Sequence, residues 1–284
     1  MTTLKLFGFI AAALLLSLAL ALFLSLFLPF PTFRIFYRSL TIFGLIGAYL
    51  FRTRVQKKSF PSLGLERRGN SSSLVWNGIA FALLSLLILT LLAYLFQAVS
   101  LEYHPPKPKK LFYYTLSAFF VGFFEELFFR GLLLQTLMED FPAKLGVVVS
   151  SLVYSLLHFV RPLVLNKPED LNLFFTESIG LFLFGVLMSY AYLRTRSLYL
   201  GMGMHGGFVW FMKMDNLFVN RLMVKGWLFG EERLIGGIVT WLLLLAAFPW
   251  IRWINQRYLP IQNCEKIRPS RSSVKTSPTI SPRA

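Results

Sequence analysis

The chain alternates long apolar runs with short polar breaks, and the runs are too long for the core of a soluble domain. They cover Leu6–Phe30, Ile35–Phe51, Leu74–Val99, Leu111–Leu137, Leu145–Leu165, Leu173–Leu193, Leu198–Met214 and Leu234–Trp253. A helix of about 20 apolar residues crosses the bilayer core, so the pattern predicts an all-α, polytopic transmembrane helical bundle of about eight spans. The first run, behind Lys5, is longer than a signal-peptide core and reads as an uncleaved membrane helix. No internal repeat is evident, which leaves an inverted-repeat transporter without support.

The polar breaks carry the cations. The stretch from Arg52 to Ser73 holds Arg52, Arg54, Lys57, Lys58, Arg67 and Arg68 against Glu66, and Arg194 and Arg196 close the sixth run. Short loops rich in Lys and Arg stay on the cytoplasmic side, so both termini are expected there, in a cell (inner) membrane. Lys107, Lys109 and Lys110, in the turn before the fourth run, oppose that orientation. The expected layout is N-terminal spans over 1–110, a core over 111–215, the last span over 216–253 and a disordered basic tail over 254–284.

Composition adds limits. With 56% hydrophobic residues, the formal charge of +16 is a topological signal rather than a nucleic-acid footprint, and no recognised nucleic-acid module is present. The single cysteine, Cys264, lies in the tail. It forms no disulfide within the chain, supplies no thiolate metal site and lies too far from the C-terminus for a lipidation box.

Candidate chemistry sits in the fourth run, where Glu125, Glu126 and Arg130 interrupt Phe123 to Arg130. A charge at mid-bilayer costs at least about 2.5–3.5 kcal/mol on insertion scales, so these groups must face protein or water and find partners. Glu126 and Arg130 are four apart with the acid first, which predicts an ion pair along one helix face. Glu125 points about 100° away, toward neighbouring helices. A poorly solvated carboxyl is suited to act as a general base.

Of the three histidines, His104 lies in a Pro-rich loop and reads as solvated, whereas His158 and His205 lie within apolar runs. At about 1.5 Å of rise per residue, Glu125, His158 and His205 lie about 18, 20 and 11 Å from the cytoplasmic ends of their helices. They can therefore meet. Glu125, Glu126, Arg130, His158 and His205 are the candidate site, while Arg161 and Glu177, near span ends, carry no functional weight. Two chemistries stay open. Glu125 with His158 could deprotonate a water while His205 donates to an oxyanion, or Glu125, His158 and His205 could hold a divalent metal such as zinc. No HExxH signature is present, and no G-x-S-x-G elbow frames Ser150, Ser151 or Ser155.

Glu125-Glu126-x-x-x-Arg130, Tyr154-x-x-x-His158 and a glycine-rich run with His205 resemble the CAAX-protease and bacteriocin-processing family of intramembrane endopeptidases, over roughly Leu111 to Trp210. The resemblance implies an all-helical membrane protease. Glu125 would be the water-activating base, His158 its partner, Glu126 and Arg130 a supporting pair, and His205 part of the oxyanion hole. The family's last motif commonly reads HxxxN, but Val209 stands at the Asn position and cannot donate a hydrogen bond. Losing one oxyanion donor typically costs about 2.7–4 kcal/mol of barrier, so either His205 or a backbone amide near Gly206 and Gly207 substitutes, or catalysis is weak, or the role is non-proteolytic. Tyr154 stands where the family often has Phe.

The expected function is an endopeptidase acting on a membrane-bound or lipidated peptide within the lipid bilayer, with no nucleic-acid partner. Val209 is the best support for the alternative, a non-proteolytic immunity or scaffold protein of the same fold.

Overall fold

The computed structural model describes residues 1–67, 69–102, 105, 107–159, 174–215, 217, 219–222, 225–230 and 234–258. His104, Arg161, Asn216, Cys264, the 166–172 connection and nearly all of the tail lie outside them. The helices are α1 (Thr2–Ser25), α2 (Thr32–Leu50), α3 (Ser71–Leu95), α4 (Pro108–Glu126), α5 (Gln135–Asp140), α6 (Ala143–Leu157), α7 (Phe174–Thr195), α8 (Tyr199–Asp215), α9 (Gly226–Phe229) and α10 (Ile238–Tyr258). The structure is nearly, not wholly, all-α: β1 (Val99–Leu101) and β2 (Val219–Arg221) form an antiparallel pair with Ser100 opposite Asn220. That pair ties the α3–α4 connection to the segment after α8.

Among the described residues, four helices are long and apolar enough to cross a membrane: α1, α3, α7 and α10. Helix α6 is a shorter apolar helix. In α1, Leu15 and Leu22 point outward while Thr3, Ala13, Ser17 and Ala21 are buried. That inversion of the soluble pattern fits helices that meet each other through small residues and meet lipid through large ones.

Several boundaries differ from the hydropathy pattern. The fourth apolar run ends at Leu137, and the acids Glu139 and Asp140 follow it as a break in the hydropathy pattern. Instead α4 runs without a break through a π-helical stretch, Leu127–Leu134, into α5, so both acids end a helix. They are used there. Asp140 Oδ2 accepts the Thr3 N–H at 2.7 Å, supplying one of the acceptors that the first turn of α1 lacks within its own helix. Lys58 Nζ meets Glu139 Oε1 at 2.6 Å. At the same end, α2 continues as a π turn over Phe51–Val55, and Leu198 N–H donates to Gly64 C=O at 3.0 Å. The N-terminus of α1, the basic 52–70 segment, the end of α5 and the α7–α8 turn therefore share one end of the bundle. The last span begins at Ile238 rather than Leu234, because a 3-10 turn over Leu234–Gly236 precedes it.

Helix α8 packs on α3 and α4, α6 on α7, and α7 on α10. The α8 contacts are close enough to require glycine. A methyl at Gly203 would strike the Val75 carbonyl oxygen, and one at Gly122 would lie 2.7 Å from Gly206 N. Backbones pressed together this closely let short polar side chains reach between helices.

Candidate active site

Glu126 and Arg130 form the buried foundation. Both side chains are 1% exposed, and Arg130 Nη1 donates to Glu126 Oε1 at 2.8 Å. The pair does not stand alone. Arg130 Nη2 donates to the Gly185 carbonyl on α7 at 3.2 Å, an oxygen that also accepts the Ser189 hydroxyl at 2.9 Å. The guanidinium lies over the Tyr154 ring at 4.8 Å. From α8, His205 Nδ1 reaches the same Glu126 Oε1 at 2.9 Å. On the other side of the carboxylate, a methyl at Gly201 would lie 2.9 Å from Glu126 Oε2, so the helix backbone walls it in.

These bonds fix the imidazole tautomers. A carboxylate can only accept, so His205 carries a proton on Nδ1 and, when neutral, presents a lone pair at Nε2. His158 Nδ1 lies 2.9 Å from the Tyr154 carbonyl oxygen, which also only accepts. His158 therefore turns a lone pair at Nε2 outward as well. Both Nε2 atoms face Glu125 Oε2, at 3.6 Å from His205 and 3.9 Å from His158. Glu125 Oε2 is buried without a hydrogen-bond partner, although the side chain as a whole keeps 21% of its surface and His158 keeps 29%.

Three acceptors thus converge with no donor among them. The separations exceed the 2.7–3.2 Å of a direct bond, yet one water about 2.8 Å from each atom would span either pair. The metal expectation fits less well. Two zinc ligands at about 2.0–2.1 Å in a tetrahedral site stand about 3.3 Å apart, and among the described residues no group of three His, Cys, Asp or Glu could hold a metal ion.

All five expected residues meet here, from α4, the π-helical stretch, α6 and α8. Two details differ from expectation. Gly206 and Gly207 lie inside α8, so their amides serve the helix's own hydrogen-bond ladder and cannot replace a missing oxyanion donor. His205 is bound to Glu126, so its Nε2 donates only as an imidazolium. The Gly185 carbonyl and the Gly201 wall were not foreseen. Glycine density was visible in the sequence, but which glycine faces which acid depends on helix packing that one sequence does not specify.

Residues 107–211 match the Rce1-like family of type II CAAX prenyl endopeptidases. The matched stretch runs from the residue that precedes α4 to Phe211 in α8 and contains all five site residues. The family is described by its endopeptidase activity, and the matched stretch lies among apolar helices. No curated protein and no solved structure matches the chain.

Proposed function

We propose that this chain is an intramembrane endopeptidase that hydrolyses a peptide bond near the end of a membrane-associated, prenylated peptide. The observation that carries the reading is Glu125 Oε2, buried and without a hydrogen-bond partner opposite two imidazole lone pairs. A water seated there donates to Glu125 and His158. Glu125 takes its proton as the water oxygen bonds to the peptide carbonyl carbon, and the carbonyl π pair moves onto oxygen. When the tetrahedral adduct collapses, the C–N bond breaks and the proton passes to the leaving amine, giving one new carboxyl and one new amine. The Glu126–Arg130 pair holds His205 and the end of α4 in register. The reading routes no step through a metal.

In this reading the chain crosses the membrane about eight times, with the described helices alternating in direction. Both termini lie on the cytoplasmic side, because the end of the bundle that holds Arg52, Lys58 and Arg196 is the cation-rich one. The working part spans 111–215, between N-terminal spans over 1–110, a last span over 216–253 and a basic tail over 254–284.

The test incubates wild-type and Glu125→Gln protein in nanodiscs with a farnesylated C-terminal CAAX peptide and with unlipidated control peptides, followed by mass spectrometry. The proposal expects one new C-terminus from the farnesylated peptide, formed by the wild type alone and still formed in the presence of chelator. No cleavage by a folded wild type favours the scaffold reading. Loss on chelation, restored by zinc, makes the three side chains a metal site.

A further inference from the structure

Hydrolysis by this centre places a negative charge on the substrate's carbonyl oxygen, and the groups described so far lack a donor to meet it. Glu125 accepts, and both neutral imidazoles present lone pairs. Arg130 spends one N–H of each Nη, on Glu126 and on the Gly185 carbonyl, and its remaining N–H groups belong to a guanidinium that is 1% exposed and covered by the Tyr154 and Phe129 rings at 4.8 and 5.8 Å. The Gly206 and Gly207 amides are spent inside α8. The Val209 side chain has no hydrogen to give.

Tyr154 remains. It stands one helical turn before His158 on α6, with its ring 4.6 Å from the His158 ring and 6.1 Å from the His205 ring. The residue is 2% exposed, and the rings of Phe129 at 5.0 Å and Phe184 at 6.0 Å pack against it from two further sides. A buried tyrosine ordinarily finds a partner for its hydroxyl. Among the described residues the Tyr154 hydroxyl has none; apart from the helix's own ladder, the residue bonds through its backbone carbonyl, to His158.

We infer that the Tyr154 hydroxyl is the oxyanion donor of this centre, held without a partner until a substrate carbonyl arrives. This rests on the hydrolytic reading above. As the water oxygen adds to the carbonyl carbon, the O–H of Tyr154 donates a hydrogen bond to the developing oxyanion without giving up its proton. When the C–N bond breaks, the carbonyl re-forms and the hydroxyl is released unchanged. The donor matters more for the transition state than for the bound substrate, so its removal lowers kcat and leaves KM nearly unchanged.

The experiment compares wild type, Tyr154→Phe and Glu125→Gln in the same nanodiscs, using a fluorescent farnesylated CAAX peptide and a matching peptide aldehyde, whose hydrate resembles the tetrahedral adduct. Tyr154→Phe keeps the packed ring, so thermal stability is expected to match the wild type. Its kcat is expected to fall by about 10²–10³, the usual cost of one oxyanion donor, with KM within about threefold and a pH profile of unchanged shape. Aldehyde binding should weaken while binding of the uncleaved peptide does not. The inference is overturned if Tyr154→Phe keeps kcat within about threefold of wild type while Glu125→Gln is inactive. It is also overturned if the wild-type rate falls with rising pH as a single imidazolium titrates and Tyr154→Phe shows the same rates, which would assign the donor to His205. Cleavage by Glu125→Gln at the wild-type rate, or none by the wild type, removes the hydrolytic reading itself and this inference with it.

Discussion

The buried Glu126–Arg130 pair makes a sharp energetic prediction. With both side chains 1% exposed, neither charge has water to fall back on when the other is removed. Breaking such a pair by deleting one partner costs about 3–5 kcal/mol, because it leaves an uncompensated buried charge. Arg130→Met leaves the Glu126 carboxylate with His205 alone and also removes the 3.2 Å bond to Gly185. Glu126→Met leaves the guanidinium with that one carbonyl. Each single change should therefore lower unfolding stability by about 3–5 kcal/mol, a factor of about 10²–10⁴ in the unfolding constant. The double change to methionine strands no charge and should cost less than either single one. Equilibrium unfolding in mixed micelles, followed by circular dichroism, measures all three. Single losses below about 1 kcal/mol, the range of exposed pairs, or a double loss equal to the sum of the singles would refute the reasoning.

Other consequences are narrower. Gly203→Ala pushes a methyl against the Val75 carbonyl oxygen, a backbone atom with little freedom to move, so it should cost about 1–3 kcal/mol and displace His205 from Glu126. Gly206→Ala meets nothing closer than the Ala118 oxygen at 3.4 Å and should be tolerated, and thermal shift and cleavage rates compare the two. The Thr3 N–H holds the Asp140 carboxyl below its ordinary value of 3.8. A depressed acid contributes above its unfolded pKa and loses that contribution as pH falls through its folded one. Docking of the α1 N-terminus should therefore not change from neutral pH down to about pH 5 and should loosen below about pH 4. Asp140→Ala should loosen it at every pH, read by proteolysis or hydrogen exchange at the first turn.

How much the sequence reveals depends on the range of each interaction. The Glu126–Arg130 pair follows from spacing along one helix, and the apolar runs place most helices to within a few residues. What a single chain hides is the depth at which helices meet. The bond from His205 to Glu126 exists because Gly203 and Gly122 let α8 press against α3 and α4, and no period in the sequence names those partners. The π-helical stretch after Glu126 leaves the hydropathy pattern untouched and so gave no warning of itself. The Gly206 and Gly207 amides looked available only while that segment was free to leave the helix.

Cleavage by Glu125→Gln tests the central claim most directly, because the amide nearly preserves the shape of the carboxylate while removing its basicity. With the farnesylated peptide at saturation, kcat should fall by about 10²–10⁴, the usual contribution of a general base, at unchanged thermal stability. A folded variant that cleaves at the wild-type rate would show that the carboxylate facing the two imidazoles is not the group that activates water.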